Sequence, residues 1–171
     1  HITIPGGNRV GISGNGVIKD GEVTSLKNIS SLNYRIAHEI TGASDRLIDM
    51  ICDGGKIKNT LIISPPECGK TTLLRDIARN LSNMRKKISI ADERGEIAAV
   101  QNRTPQFDVG ANTDVMTGGQ KAACCMMLLR AMRPDVLAFD EISAPEDIEA
   151  IRMASELHDI GKLQIPAEIL T

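Results

Sequence analysis

At 171 residues the chain is long enough for one domain with a true core plus a small appendage. Hydrophobic residues make up 42% and aromatic residues only 2%, so the core must be aliphatic and there is no aromatic platform for stacking single-stranded bases. A net charge of −2 and a pI near 5.9 argue against a strong non-specific attraction to DNA or to an anionic membrane, and no nucleic-acid partner is predicted.

The N-terminal region, residues 1–42, reads as a β-hairpin segment and as part of a larger N-terminal domain, because the chain opens at His1 without an initiator methionine. Six glycines fall in its first 21 positions. Asp20-Gly21 separates two β-branched runs, the signature of a tight two-residue turn. Ser44 then stands as the N-cap of a helix bearing Leu47, Ile48 and Ile51, which Gly54-Gly55 should end. A second, α/β unit is predicted over residues 43–155, beginning with a strand-helix-strand unit: Asn59 to Ser64, a helix from Lys70 to about Asn83, and Lys87 to Asp92. In the helix, Leu73, Leu74, Ile77, Ala78 and Leu81 share one face at helical period. Two apolar strands joined by a crossover helix predict a parallel sheet.

The next stretch, Gly95 to Gly119, reads as a loop. A helix from Gln120 to Met132 follows, stopped by Pro134, then a short strand, Asp135 to Phe139, and a helix opened by Pro145 with Glu146 and Asp147 in its first turn. Ala122 to Leu129 is too short to span a bilayer, so no transmembrane segment is expected. Cys52, Cys68, Cys124 and Cys125 lack CxxC or zinc spacing and read as reduced core thiols, which suits a cytoplasmic setting.

The chemistry concentrates in "SPPECGKTTLLRDI". A phosphate-binding loop needs backbone N–H groups free to surround phosphate oxygens, a lysine to neutralise charge and a hydroxyl to ligate Mg²⁺. Ser64, Pro65, Pro66, Glu67, Cys68, Gly69, Lys70, Thr71 and Thr72 fit this between a strand and an amphipathic helix. Ser64 takes the place of the usual first glycine, and Glu67 must point away from a triphosphate or repel it. About seventy residues on, a strand ends in Asp140-Glu141, the layout in which the aspartate supports the metal and the glutamate orients or deprotonates water. Glu93 is a second candidate for positioning water, and Arg94 is suited to a transition-state charge.

In this order, "RVGISGNGVI", "LIISPPECGKTTLLRDIAR", "DERGEIA", "DVGANTDVM" and "LLRAMRPDVLAFDEI" resemble the stage III sporulation protein AA family over Ile2 to Ala154. The Ser-Pro-Pro opening is usual in that family. The resemblance implies a RecA-like P-loop ATPase similar to type II and type IV secretion ATPases. It further implies a homo-oligomer, a hexamer, using ATP and Mg²⁺ in the mother-cell cytoplasm at a membrane-associated channel complex. It assigns Gly69 to Thr72 to nucleotide binding, Thr71 and Asp140 to the metal, and Lys70, Glu93, Arg94 and Glu141 to catalysis. Arg130 and Arg133 would link nucleotide state to subunit contacts. Asn112 stands where an arginine is expected.

Residues 156–171 depart from this pattern: "ELHDIGKLQIPAEILT" resembles the start of an HD-GYP phosphodiesterase domain. His158-Asp159 suits a metal, but the other histidines, His1 and His38, lie in the N-terminal region. The sheet is therefore expected to be truncated after Asp140-Glu141, with an unprotected edge and impaired turnover. Two alternatives to an ATPase stay open: a non-catalytic nucleotide-binding assembly module, and a fragment of a metal phosphodiesterase.

Overall fold

The computed structural model describes residues 2–142 and 145–157. The chain divides into two compact units, His1–His38 and Glu39–Thr171. In the first, β1 (Ile2–Ile4), β2 (Asn8–Lys19) and β3 (Glu22–Arg35) form an antiparallel sheet in that order. Asp20 (φ 54) and Gly21 (φ 84) make the predicted two-residue turn, with Lys19 paired to Glu22. Both central residues have positive φ, which matches the turn to the twist of the strands. Residues paired across a ladder share a face. Val10–Tyr34 and Ile12–Leu32 thus share one apolar face and Arg9–Arg35 and Ser13–Ser31 the other, polar one, before the register shifts between Ser13 and Asn15 and between Val17 and Ile18.

The second unit is a three-layer α/β arrangement. Its sheet has the order β7 (Thr113–Thr117), β6 (Ile88–Asp92), β8 (Val136–Phe139), with both pairings parallel. Every residue of the central strand β6 is buried, and the period of two sends alternate side chains to opposite layers. Ile88 and Ile90 pack with Ile77, Ala78 and Leu81 of α2 (Lys70–Asn83). Ala91 packs with Cys124, Cys125 and Leu128 of α3 (Lys121–Met132). Each such fully buried leucine or isoleucine contributes about 1.5–3 kcal/mol. β8 obeys the same alternation, with Val136 and Ala138 on the α2 side and Leu137 and Phe139 on the α3 side. The helix face read from the sequence is the face that is buried, and α4 (Pro145–Leu157) starts at the predicted proline.

Four local expectations are corrected. Asn59 to Ser64 forms no strand: among the described residues β8 pairs with β6 alone, and a cavity of about 440 Å³ lies between this segment and β8, lined by Leu61, Ile63, Leu74, Val136 and Phe139. The apolar pattern is present, but a strand exists only with a ladder partner, and Pro65-Pro66 bring no N–H donors to one. The stretch read as loop contains β7, which Thr113, Val115 and Met116 build by docking against β6. Ser44 does occupy the N-cap of α1 (Asp45–Ile51), yet its hydroxyl makes no capping bond and donates to Asp76 instead. Gly54-Gly55 does not end that helix. It turns a small hairpin of β4 (Cys52–Asp53) and β5 (Lys56–Ile57).

One glycine is fixed by a close approach. Gly110 has φ +87, and a Cβ there would lie 2.3 Å from Cβ of Ser82 at the end of α2. The contact lets the next residues reach the helix, where the Asn112 N–H donates to Ser82 Oγ at 2.8 Å. The Asn112 carbonyl then accepts from the Ile88 N–H, which seats β7 in register beside β6.

Candidate functional site

Gly69 has φ 82 and ψ 18, a left-handed conformation that a side chain would strain, and from it the chain turns directly into α2. The first N–H groups of a helix have no intrahelical partner and carry the positive end of its dipole. The Ser64 to Thr72 turn therefore presents donors at the start of α2. Pro65, Pro66, Glu67, Cys68 and Gly69 are exposed, and Glu67, at φ 63, is turned out to solvent. Lys70 lies across the turn, its ammonium donating to the carbonyls of Ser64 and Pro65, each at 3.0 Å.

Thr71 Oγ1 donates to Asp140 Oδ2 at 2.7 Å, a contact between residues 69 apart in sequence. It places the end of β8 directly at the start of α2. The pair offers two hard oxygen donors, which suit Mg²⁺ better than a soft metal. Among the described residues no three His, Cys, Asp or Glu side chains converge on a metal position.

The ends of β6 and β8 bring the remaining candidates together. Arg94 meets Glu141 at 2.8 Å, both half-exposed. Glu93 lies 3.8 Å from the ammonium of Lys121. A small cavity of about 20 Å³ between Asp92, Glu93, Arg94, Lys121, Asp140 and Glu141 joins these groups in one place. Asp92 holds the loop: its buried carboxylate accepts N–H bonds from Glu96, Ile97 and Ala98 at 2.8–3.2 Å. From α2, Arg75 donates to the carbonyls of Ile97 and Glu96 and stacks 3.9 Å over the Phe107 ring. Burial lowers the Arg75 pKa against the opposing pull of Glu39, Asp92 and Asp140.

Sequence reading missed Lys121 and the second role of Asp147. Lys121 is buried, bonded to the Glu141 carbonyl and 3.1 Å from Asp147 Oδ2. The signal was a lysine in the first turn of a helix, where the dipole disfavours a cation unless carboxylates compensate. Asp147 was read as a first-turn acid on α4; it is buried at 7% exposure and serves Lys121. Arg130, Arg133 and Asn112 are all exposed and stand apart from this cluster. His158 and Asp159 lie outside the described residues, as does the tail beyond Leu157.

Together the fold and site define a mixed α/β protein whose parallel strand β8 delivers an aspartate to the N-terminus of α2. It belongs to the family described as sporulation stage III, protein AA, whose model matches residues 1–160. That match runs past Ala154, where the resemblance read from the sequence ends. The chain is 42% identical to stage III sporulation protein AA of Bacillus subtilis (strain 168) over 156 residues, 88% of this chain and 50% of that protein. It is also 29% identical to the uncharacterized protein ycf45 of Cyanidium caldarium, over 72% of this chain and 36% of that one. Similarity to transcription termination factor Rho of Mycobacterium leprae, 38% identical, covers 47% of this chain and 14% of Rho. The chain thus spans half or less of the length of these relatives. No solved structure matches it significantly. No helix among the described residues is long and apolar enough to cross a membrane.

Proposed function

We propose that this sporulation-family protein binds ATP with Mg²⁺ and hydrolyses it. The observation that carries the reading is the Thr71–Asp140 contact at 2.7 Å, which unites a Gly-Lys-Thr turn and a strand-end acid that the sequence keeps far apart. In this reading the N–H groups of Gly69 to Thr72 surround the phosphates, and Lys70 leaves the Ser64 and Pro65 carbonyls to neutralise their charge. Thr71 and Asp140 would hold Mg²⁺, which supplies charge neutralisation at the phosphate oxygens. Glu141 or Glu93 orients the attacking water, and Arg94 serves the developing charge. The same reading extends to a hexameric assembly at a membrane-associated sporulation channel, with the protein peripheral on its cytoplasmic side.

A second reading is favoured by the pairs themselves: with Glu141 held by Arg94 and Glu93 near Lys121, nucleotide binding could serve assembly alone. Steady-state ATP turnover separates them. Turnover abolished by Lys70→Ala and by Glu141→Ala supports hydrolysis at this site, and turnover that survives both variants refutes it. Tight binding of ATP without turnover selects the assembly module. Light scattering with and without a non-hydrolysable ATP analogue tests the ring: a monomer in both conditions rejects the hexamer.

A further inference from the structure

Lys121 lies in none of the motifs from which ATP hydrolysis is inferred, yet two candidate residues of the site, Glu141 and Glu93, meet Asp147 at its ammonium. The side chain is 7% exposed, donates to the backbone carbonyl of Glu141, and stands 3.1 Å from Asp147 and 3.8 Å from Glu93. A charge at that depth needs partners to be tolerated, so its position is set by theirs and theirs by it. Glu141 has φ 46, a left-handed backbone that a residue with a side chain keeps only where surrounding contacts impose it. Both of its peptide groups are engaged. Its N–H donates to Asp140 Oδ1 at 3.0 Å, and its carbonyl accepts from Lys121.

We propose that Lys121, countered by Asp147, is a positioning residue for Glu141: by holding the Glu141 carbonyl it fixes the left-handed turn and so sets where the carboxylate stands beside the Thr71–Asp140 pair. The inference rests on reading that pair as the site of ATP hydrolysis. A strand continued past Phe139 in extended form would alternate its side chains across the sheet. The turn at Glu141 breaks that alternation, and Lys121 reaches it from the start of α3. A plain core ion pair between α3 and α4 would need Asp147 but not the Glu141 carbonyl, and this difference makes the two roles separable.

The test uses the full chain with Lys121→Arg and the charge-removing double variant Lys121→Met/Asp147→Asn. Steady-state turnover of MgATP, binding of a fluorescent ATP analogue, urea denaturation and the ¹³Cα and ¹³Cβ shifts of Glu141 are measured on each. The double variant is expected to fold and to bind the analogue within about threefold of wild type. Its kcat should fall at least about tenfold with little change in KM, as misplacement of a reacting group does. Its Glu141 shifts should leave the left-handed range, and Lys121→Arg should recover most of the turnover. A folded double variant with wild-type kcat, or with unmoved Glu141 shifts, overturns the proposal. A wild-type chain without turnover whose Glu141 shifts still move on substitution refutes the ATPase reading alone.

Discussion

Ser44 donates twice to one oxygen of Asp76: its N–H at 2.7 Å and its hydroxyl at 2.8 Å both reach Oδ2. The other oxygen accepts from the Gly42 N–H at 3.1 Å and from Arg79 at 2.7 Å. Ser44 is fully buried and Asp76 is 3% exposed, so this carboxylate ties the entry of α1 to the middle of α2. Burial alone would raise the Asp76 pKa, but the bonds from Ser44, Arg79 and Gly42 outweigh it and hold it below the ordinary 3.8. The folded pKa is depressed, so the stabilisation is fully present above about pH 4 and is lost as pH falls through the folded value. We expect Asp76→Asn to cost about 2–3 kcal/mol at pH 7 and to flatten the acid limb of a urea stability profile. A variant whose stability at pH 7 and pH 3 parallels the wild type would refute this account.

Among the described residues the Lys70 ammonium donates to the carbonyls of Ser64 and Pro65 and makes no ion pair. Its removal should therefore leave the thermal midpoint within about 2–4 °C of wild type, the shift expected of about 1 kcal/mol. Binding of a fluorescent ATP analogue should drop at least about tenfold. Equal loss of binding and of folding would show instead that Lys70 is a structural brace.

The Arg94–Glu141 pair is half-exposed on both sides, and such pairs contribute about 0–1 kcal/mol to stability. Arg94→Ala is expected to unfold in urea at nearly the wild-type midpoint while turnover falls at least about tenfold. Undiminished turnover would remove Arg94 from the proposed chemistry.

Gly110→Ala combines a disfavoured φ of +87 with a Cβ placed 2.3 Å from that of Ser82. Since α2 and β7 would have to separate, we expect a loss of about 2–4 kcal/mol in urea denaturation. A loss below about 0.5 kcal/mol would mean that the loop can back away from the helix.

The cysteines should react unequally. Cys125 is buried and its thiol is pushed up to about 12 by burial first, then by Cys124 and Asp147, with Lys121 opposing. Cys68, expected from the sequence to be a core thiol, is instead exposed beside Gly69, because it lies in the turn before α2 rather than on a packed face. Iodoacetamide at pH 8, followed by mass spectrometry, should label Cys68 while sparing Cys124 and Cys125, and MgATP should slow that labelling. Labelling of Cys68 unaffected by nucleotide would count against phosphates at this turn.

What was legible in the sequence was whatever short-range chemistry decides. The α2 face from Leu73 to Leu81, the Asp20-Gly21 turn and the stop at Pro134 follow from periodicity and backbone constraint, and all three are found. What escaped depends on partners distant in sequence. Thr113–Thr117 is a strand because β6 lies beside it, and Asn59 to Ser64 is not one because no described neighbour completes its ladder. The site divides in the same way. Lys70, Thr71 and Asp140 announce themselves by motif, whereas Lys121 and Asp147 acquire their meaning only once α3 and α4 are packed.

Arg75 stands one helical turn beyond Thr71 and grips the carbonyls of Glu96 and Ile97, while Asp92 grips the N–H groups of the same loop from the end of β6. Helix α2 and strand β6 thereby hold the loop that carries Glu93 and Arg94 by its carbonyls and by its N–H groups at once. The loop in turn reaches the end of β8 through Arg94 and Glu141 at 2.8 Å, so a displacement of α2 is passed through the loop to the residue that follows Asp140.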